Sequence, residues 1–148
     1  MVRILLFCTL LSPFFGNAQI KGKAHKLVGT WAYREGTGYE VWQFNGDKLE
    51  GIGYRNLKFG DTVKVEKMEI KVVNGVYTYS YKKVDDFDKD KETIFMSKGK
   101  NLSFLSVNAK TPTIMKYRFA FLSKNKINLK VTVGPKYNRY ILTLYRVQ

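Results

Sequence analysis

The chain is poor in cysteine and histidine, with one of each among its 148 residues. Cys8 lies in an apolar N-terminal run, so the remainder of the chain has no thiol with which to form a disulfide. His25 falls near the N-terminus without a neighbouring acid or nucleophile motif, so a Ser-His-Asp catalytic set is not expected. A haem or metal role for His25 is the less favoured interpretation. The sequence thus predicts no metal site and no disulfide framework.

Proline is scarce as well, and no linker, repeat or low-complexity stretch divides the chain. The first residues instead resemble a secretory signal peptide. Met1–Arg3 is positively charged, Ile4–Phe15 is almost wholly apolar, and small residues precede a cleavage site before Gln19. The apolar run is too short to cross a bilayer of about 30 Å as a helix. We therefore predict a cleavable signal peptide at 1–18, one domain at 19–148, and a secreted or periplasmic location, with soluble export favoured over lipid anchoring.

Acidic residues are few, because 12 Asp and Glu stand against 26 Lys and Arg, for a formal net charge of +14. The simpler interpretation is a solvated, lysine-rich exterior that blunts exposed strand edges. The alternative is attraction to anionic envelope polymers, anionic lipid headgroups or nucleic acid. The lysines are spread along the chain rather than blocked, which favours the first interpretation and argues against a specific nucleic-acid site.

The rest of the sequence is dominated by alternation of polar and apolar residues with a period of two. Lys126–Val133 alternates strictly between polar and apolar residues, which predicts a strand with one buried face. Asn74-Gly75 lies between two valines and favours a type I′ hairpin turn, since both residues tolerate a positive φ. Further turn signals separate about ten predicted strands, at 29–35, 39–45, 48–58, 62–73, 76–84, 92–98, 101–108, 113–123, 126–133 and 137–147.

Many evenly spaced antiparallel strands joined by hairpins form a meander, and a meander this long closes because an open sheet would expose its edges and one apolar face. We predict an all-β fold, a single antiparallel up-and-down β-barrel of 8–10 strands. Within 62–73 the alternation changes parity at Glu66-Lys67, and a β-bulge there would restore both halves to one face. A single turn of helix is expected near Ala24–Val28.

Aromatic residues are abundant, with 10 Tyr, 10 Phe and 2 Trp. Alternation places many of them on the inner face of the predicted barrel. Any single ring is more simply explained by core packing, but buried tyrosine hydroxyls would each need a partner in a solid core, so the set as a whole favours a lined pocket. The predicted lining consists of Trp31, Tyr33, Trp42, Phe44, Met68, Tyr77, Tyr79, Tyr117 and Phe119.

Two acidic residues, Glu40 and Glu66, share the inward parity of this set. A buried carboxylate must be paired or protonated, so each is either an orienting group for a polar ligand end or a structural partner for a lysine, arginine or tyrosine. The structural role is favoured, because a lone inward acid without a base is not a catalytic set.

The acidic stretch Asp86–Asp90 imitates half of a calcium loop but lacks the required glycine and glutamate, which indicates a charged hairpin loop at the barrel mouth.

An ordered series of motifs resembles a family of secreted bacterial proteins of the calycin, or lipocalin-like, type. The series comprises Gly29-Thr30-Trp31, Glu40-Val41-Trp42, Gly51 and Gly53, Glu66 with Met68 and Ile70, Asn74-Gly75-Val76-Tyr77, and Asn108, Pro112 and Tyr117-Arg118. The resemblance covers nearly the whole of 19–148 and implies a barrel with a central cavity. That family commonly carries a His-Asp pair before the proline, and Asn108–Pro112 lacks it here, so chemistry depending on that pair is not expected.

In calycins the tryptophan of Gly-x-Trp lies across the barrel floor, and an arginine of the last strand stacks on it. The resemblance implies this structural role for Gly29, Trp31 and Arg146, with Arg139 as the alternative arginine. A guanidinium over an indole is worth about 0.5–2 kcal/mol.

The sequence as a whole predicts a monomeric, non-enzymatic protein, without a cofactor, that binds a small and mostly apolar molecule in the barrel. The alternative is an envelope interaction protein whose basic exterior contacts anionic polymer or lipid.

Overall fold

The computed structural model describes residues 20, 22–84, 92–97, 101–106, 114–134 and 138–147. The predicted signal peptide, the acidic loop at 85–91 and the stretch 107–113 lie outside these ranges. A short 3-10 helix, Gly22–Leu27, precedes ten strands. They are β1 Gly29–Tyr33, β2 Gly38–Asn45, β3 Lys48–Asn56, β4 Thr62–Val73, β5 Val76–Lys83, β6 Glu92–Ser97, β7 Ser103–Ser106, β8 Ile114–Ser123, β9 Lys126–Val133 and β10 Asn138–Arg146.

The strands form one closed antiparallel barrel in which each strand pairs with the next along the chain and β1 pairs with β10. The predicted up-and-down barrel is therefore confirmed. Asn74 and Gly75, which connect β4 to β5, both have positive φ, of 51° and 75°, as the predicted turn requires. Because the last strand closes on the first, both exposed sheet edges are removed.

The predicted bulge lies in β4. Gly53 of β3 pairs with Glu66, whereas the following Tyr54 pairs with Lys64, so Val65 has no partner in the register. This extra residue shifts the parity of the strand at the place where the sequence alternation changes. As a result Glu66 and Met68 face the interior, while the N-terminal part of the strand is exposed.

One end of the barrel is covered by the 3-10 helix. Ala24 and Leu27 of the helix and Ile20 just before it are buried against the core, so this short segment supplies the apolar floor that the sheet alone lacks. The predicted helical turn near Ala24–Val28 is confirmed, shifted slightly toward the N-terminus. Within the described ranges no helix combines the length and the apolar character needed to cross a membrane.

The middle of the barrel is packed with aromatic rings. Tyr79 of β5 stacks on Tyr117 at 4.8 Å and on Phe104 at 5.2 Å between ring centroids, and Phe119 meets Tyr117 edge-on at 5.4 Å. Such stacked and edge-on pairs stabilise a core beyond their buried area. The buried cluster continues through Trp31, Trp42, Leu49, Met68, Ile70, Phe95, Leu102, Ile127, Leu129 and Leu144.

Candidate functional site

Trp31 marks the closed end of the barrel, where the chain enters β1. Its indole is fully buried, and its Nε1–H donates a hydrogen bond of 2.6 Å to the carbonyl oxygen of Leu27, the last residue of the 3-10 helix. The Arg146 guanidinium lies over the ring, with its Cζ 4.3 Å from the ring centroid. The register of β1 and β10 sets Trp31 directly opposite Arg146, which explains this contact.

Arg146 also fastens the helix to the barrel. Its Nη1 donates to the carbonyl oxygen of Val28 at 2.6 Å and its Nη2 to that of Lys26 at 2.7 Å. Gly29 has a φ of 119°, and a Cβ at that position would lie 2.6 Å from Arg146 Nη1. The glycine thus provides both the backbone conformation and the space that the guanidinium needs. These contacts give Arg146 a structural role, because its guanidinium joins the helix to the last strand.

The layer above this floor is solid. Trp42 is buried, and a Cβ at Gly51 on the neighbouring strand would lie 2.8 Å from three atoms of its ring. Trp42 therefore occupies the volume that a side chain at position 51 would take, and it contacts Phe119 edge-on at 5.8 Å.

Glu40 is the polar centre of this interior, with 1% of its surface exposed. Its Oε1 accepts a hydrogen bond of 2.6 Å from the Tyr33 hydroxyl, and its Oε2 accepts one of 2.8 Å from Trp42 Nε1–H. Burial raises the pKa of the Glu40 carboxyl above its ordinary value, although the two hydrogen bonds act in the opposite direction. The structural role that was favoured for Glu40 is the one these contacts give it.

A cavity of about 410 Å³ opens at the other end of the barrel, the mouth. We call it the mouth cavity. Its volume lies within the range of about 300–1,000 Å³ that is common for ligand sites. It is lined by Tyr33, Glu66, Tyr79, Tyr81, Lys83, Tyr117, Val131, Tyr140 and Leu142. A smaller cavity of about 190 Å³ adjoins it and shares Tyr33, Glu66 and Leu142.

Two other depressions are similar in size but differ in place and lining. One, of about 400 Å³, lies on the outer faces of β3, β4 and β5 among charged side chains such as Lys64, Lys67 and Glu69. The other, of about 440 Å³, lies beside Arg146 at the closed end and is bordered by Lys26 and Lys124. Neither reaches the aromatic interior of the barrel, which only the mouth cavity enters among these three.

Glu66 is the acidic group of the mouth cavity. Burial raises the pKa of its carboxyl, while the positive charges of Lys83 and Arg55 lower it. Lys83 stands opposite Glu66 in the register of β4 and β5 and is exposed at the rim. Among the residues that the structure describes, no side chain forms a hydrogen bond or a short ion pair with the Glu66 carboxylate, so its oxygens remain available as acceptors.

Three tyrosines of the mouth cavity, Tyr33, Tyr79 and Tyr117, stay protonated across the physiological range. Burial, followed by the negative potential of Glu40, raises the pKa of both Tyr33 and Tyr79 well above the ordinary value. Burial likewise raises the pKa of Tyr117, with Tyr79 as the next cause. At these three positions the cavity therefore presents aromatic faces and neutral hydroxyl groups, beside the carboxyl group of Glu66.

The structure brings only part of the predicted lining to the cavity. Tyr33, Glu66, Tyr79 and Tyr117 line it. The rest lies elsewhere: Glu40, Trp31, Trp42, Met68 and Phe119 are buried beneath it, Tyr77 packs against the core away from it, and Phe44 lies outside the barrel interior.

Phe44 is the clearest departure from simple alternation. Its side chain is 39% exposed and packs against His25, with ring centroids 4.6 Å apart, because β2 has already passed the floor of the barrel at this position. Another contact of His25 is within the N-terminal segment, where its Nε2 lies 2.7 Å from the Ile20 carbonyl oxygen.

Within the described part of the chain, no group of three or more His, Cys, Asp and Glu residues is arranged to hold a metal ion.

Several lining residues were not among the predicted site residues, although their positions were readable. Tyr81 shares the parity of Tyr79 on β5, Val131 belongs to the strictly alternating β9, and Tyr140 and Leu142 share the parity of Arg146 on β10. Parity alone gives the inner face, but not the depth along the barrel at which a side chain lies.

The chain matches no protein-family model and no curated protein.

Proposed function

We propose that this chain is an exported, lipocalin-like binding protein that takes up a small and mostly apolar ligand in the mouth cavity without covalent chemistry. The observation that supports it best is the cavity itself, of about 410 Å³, at the open end of a barrel whose other end is sealed. Ligand pockets commonly combine a mostly apolar, aromatic lining with a few placed polar groups. In the mouth cavity the apolar, aromatic lining consists of five tyrosines, Val131 and Leu142, and the polar groups are Glu66 and Lys83.

The lining also suggests how the ligand is oriented. The deep wall consists of the Tyr79 and Tyr117 rings, which are stacked and buried, whereas Glu66 and Lys83 lie on the side formed by β4 and β5. An apolar ring or chain is accommodated against the tyrosine faces. A hydroxyl or amino group at one end of the ligand would donate to the free oxygens of Glu66. We therefore propose an amphipathic ligand, apolar over most of its surface, with one hydrogen-bond donor.

Leu142→Asp should weaken the binding of an uncharged apolar probe such as N-phenyl-1-naphthylamine by about tenfold or more. Removing the leucine forfeits part of the about 1.5–3 kcal/mol that full burial of such a side chain contributes, and a carboxylate at the wall adds a desolvation penalty. Because Leu142 is more than one-third exposed, the charge is tolerated in the fold. Probe fluorescence titration measures the affinity, and circular dichroism checks the fold.

Ser80→Asp is the matched control, because it introduces the same charge on the outer face of β5 between the cavity-lining Tyr79 and Tyr81. This variant should bind the probe like the wild type. Equal loss of binding in both variants, or no saturable binding by the wild type, would contradict the proposed function.

Glu66→Gln should distinguish the polar end of the ligand from its apolar body. The substitution removes the negative charge but keeps the shape, so binding of the uncharged probe should change less than about threefold. An apolar amine such as 1-naphthylmethylamine should bind about tenfold more weakly, since a charge-assisted hydrogen bond is worth about 1.5–3 kcal/mol. Calorimetric titration of the two compounds measures this difference. Identical effects on both compounds would show that Glu66 does not orient the ligand.

A further inference from the structure

The charge of this protein is distributed unevenly along the chain and around the barrel. After Glu92 the sequence contains no Asp or Glu, whereas the same stretch, 93–148, contains 11 Lys and Arg. The strands β7, β8, β9 and β10 are adjacent in the barrel and all fall in this stretch. One side of the barrel is therefore built without any acidic residue.

The strand register places the cations of this side on its outer surface. Neighbours of the buried Tyr117, Phe119, Ile127 and Leu129 alternate outward, and most of the outward cations are exposed. We call this surface the basic wall and define it by five cations: Lys116, Arg118, Lys126, Lys130 and Arg139.

The basic wall brings like charges together. Arg118 on β8 lies directly opposite Lys130 on β9. Like charges in facing positions of a sheet destabilise it. Within the described residues none of the five cations forms an ion pair with a carboxylate, so the positive potential of the wall is not neutralised by the protein itself.

The opposite side of the barrel is organised differently. There Lys48 bonds to Glu50 at 2.7 Å and to Glu69 at 2.9 Å, and Lys71 lies 3.1 Å from Glu69. Two lysines and two glutamates on the outer faces of β3 and β4 thus pair with one another. The basic wall differs from this side because no acidic residue lies among its cations.

Exposed apolar side chains are interleaved with the wall cations. Ile141, which is 57% exposed, lies directly opposite Lys130, and the exposed Leu105 lies opposite Lys116. Tyr145 is partly exposed beside Lys126, whose Nζ lies 5.4 Å from the ring centroid. Exposed aliphatic and aromatic side chains thus lie directly beside the cations of the basic wall.

We propose that the basic wall docks this protein on the surface of an anionic lipid bilayer. Lysine and arginine near a membrane are attracted by the negative surface potential, while neighbouring apolar side chains enter the boundary between headgroups and acyl chains. A dissolved polyanion would bind the same cations as a lipid surface does, but it would leave Ile141 and Leu105 exposed to water. The combination of charge and apolar groups therefore favours the lipid surface over an anionic polymer, and this proposal does not depend on the mouth cavity.

The test is cosedimentation of the chain starting at Gln19 with vesicles. Vesicles of equal parts phosphatidylcholine and phosphatidylglycerol should bind the protein, vesicles of phosphatidylcholine alone should not, and binding should fall as salt is raised. The triple variant Lys116→Gln, Arg118→Gln, Lys130→Gln should bind at least about tenfold more weakly. Its matched control, Lys64→Gln, Lys67→Gln, Lys82→Gln, loses the same charge from the outer faces of β4 and β5 and should retain most of the binding.

Ile141→Asn separates lipid from polymer, because it leaves every charge in place. It should weaken vesicle binding about threefold or more and leave retention on immobilised heparin unchanged. Equal loss in the two triple variants would overturn the assignment of the wall. Retention on heparin without binding to the anionic vesicles would overturn the lipid proposal and indicate an anionic polymer instead. Circular dichroism of each variant confirms that the strand content is preserved.

Discussion

Trp31→Ala should lower the free energy of unfolding by about 3–5 kcal/mol, as expected when a large buried aromatic residue is replaced by alanine. The indole is completely buried at the floor of the barrel, so its removal leaves a cavity between the 3-10 helix and the core. The Leu27 carbonyl oxygen loses its donor, and the Arg146 guanidinium loses the ring over which it lies. Since small domains are stable by about 5–15 kcal/mol, this single change removes a large fraction of the total.

Urea unfolding followed by circular dichroism measures the loss, since far-ultraviolet ellipticity does not depend on the removed tryptophan. Tyr145→Ala is the control, because Tyr145 neighbours Arg146 on β10 but faces outward and is 40% exposed. Its expected effect is below about 1 kcal/mol. A loss of similar size in both variants would show that Trp31 does not hold the floor of the barrel together.

The barrel could be predicted because its pattern is almost purely local. In β9 every second residue is apolar, and both residues of the β4–β5 turn adopt the positive φ that Asn74-Gly75 suggested. Even the bulge could be located, since one extra residue reverses the parity of every later side chain. Closure followed from the number of strands, because the exposed edges of a long open meander are unfavourable.

The site was only partly predictable, because parity does not report depth. Phe44 and Trp42 share one face of β2, yet Trp42 is buried and Phe44 lies beyond the floor against His25. Tilted strands also place residues of very different sequence position at one level of the barrel. Leu142, near the C-terminus, therefore lines the same cavity as Tyr33, the last residue of β1. Such neighbours are known only once the register is fixed.

The role of Glu40 illustrates the same limit. Alternation correctly indicated that its side chain points inward, and burial then required a partner or a proton. Its partners, the Tyr33 hydroxyl and the Trp42 indole N–H, come from β1 and from β2 itself. Tyrosine was one of the expected partner types, whereas the indole N–H of Trp42 was not among them.

Glu40→Ala should lower the free energy of unfolding by about 2–4 kcal/mol. The buried Trp42 N–H would lose its acceptor, which is unfavourable by about 1–3 kcal/mol, and a small cavity adds to this. Glu40→Gln should lose less than about 1 kcal/mol near neutral pH, because the amide oxygen accepts from Trp42 and the amide N–H donates to the Tyr33 oxygen. Urea unfolding of the two variants and the wild type measures the difference.

The pH dependence of stability provides the sharper test of this buried carboxyl. Because burial raises the pKa of Glu40 in the folded state, the folded protein binds a proton more tightly than the unfolded chain, whose carboxyl titrates near about 4.3. Wild-type stability should therefore be favoured at low pH and should fall as pH rises from that value toward the raised pKa. Glu40→Gln lacks this proton, so the stability difference between the two proteins should shift toward the wild type on acidification. A stability difference between the two proteins that does not change with pH would contradict a raised pKa of Glu40 in the folded state.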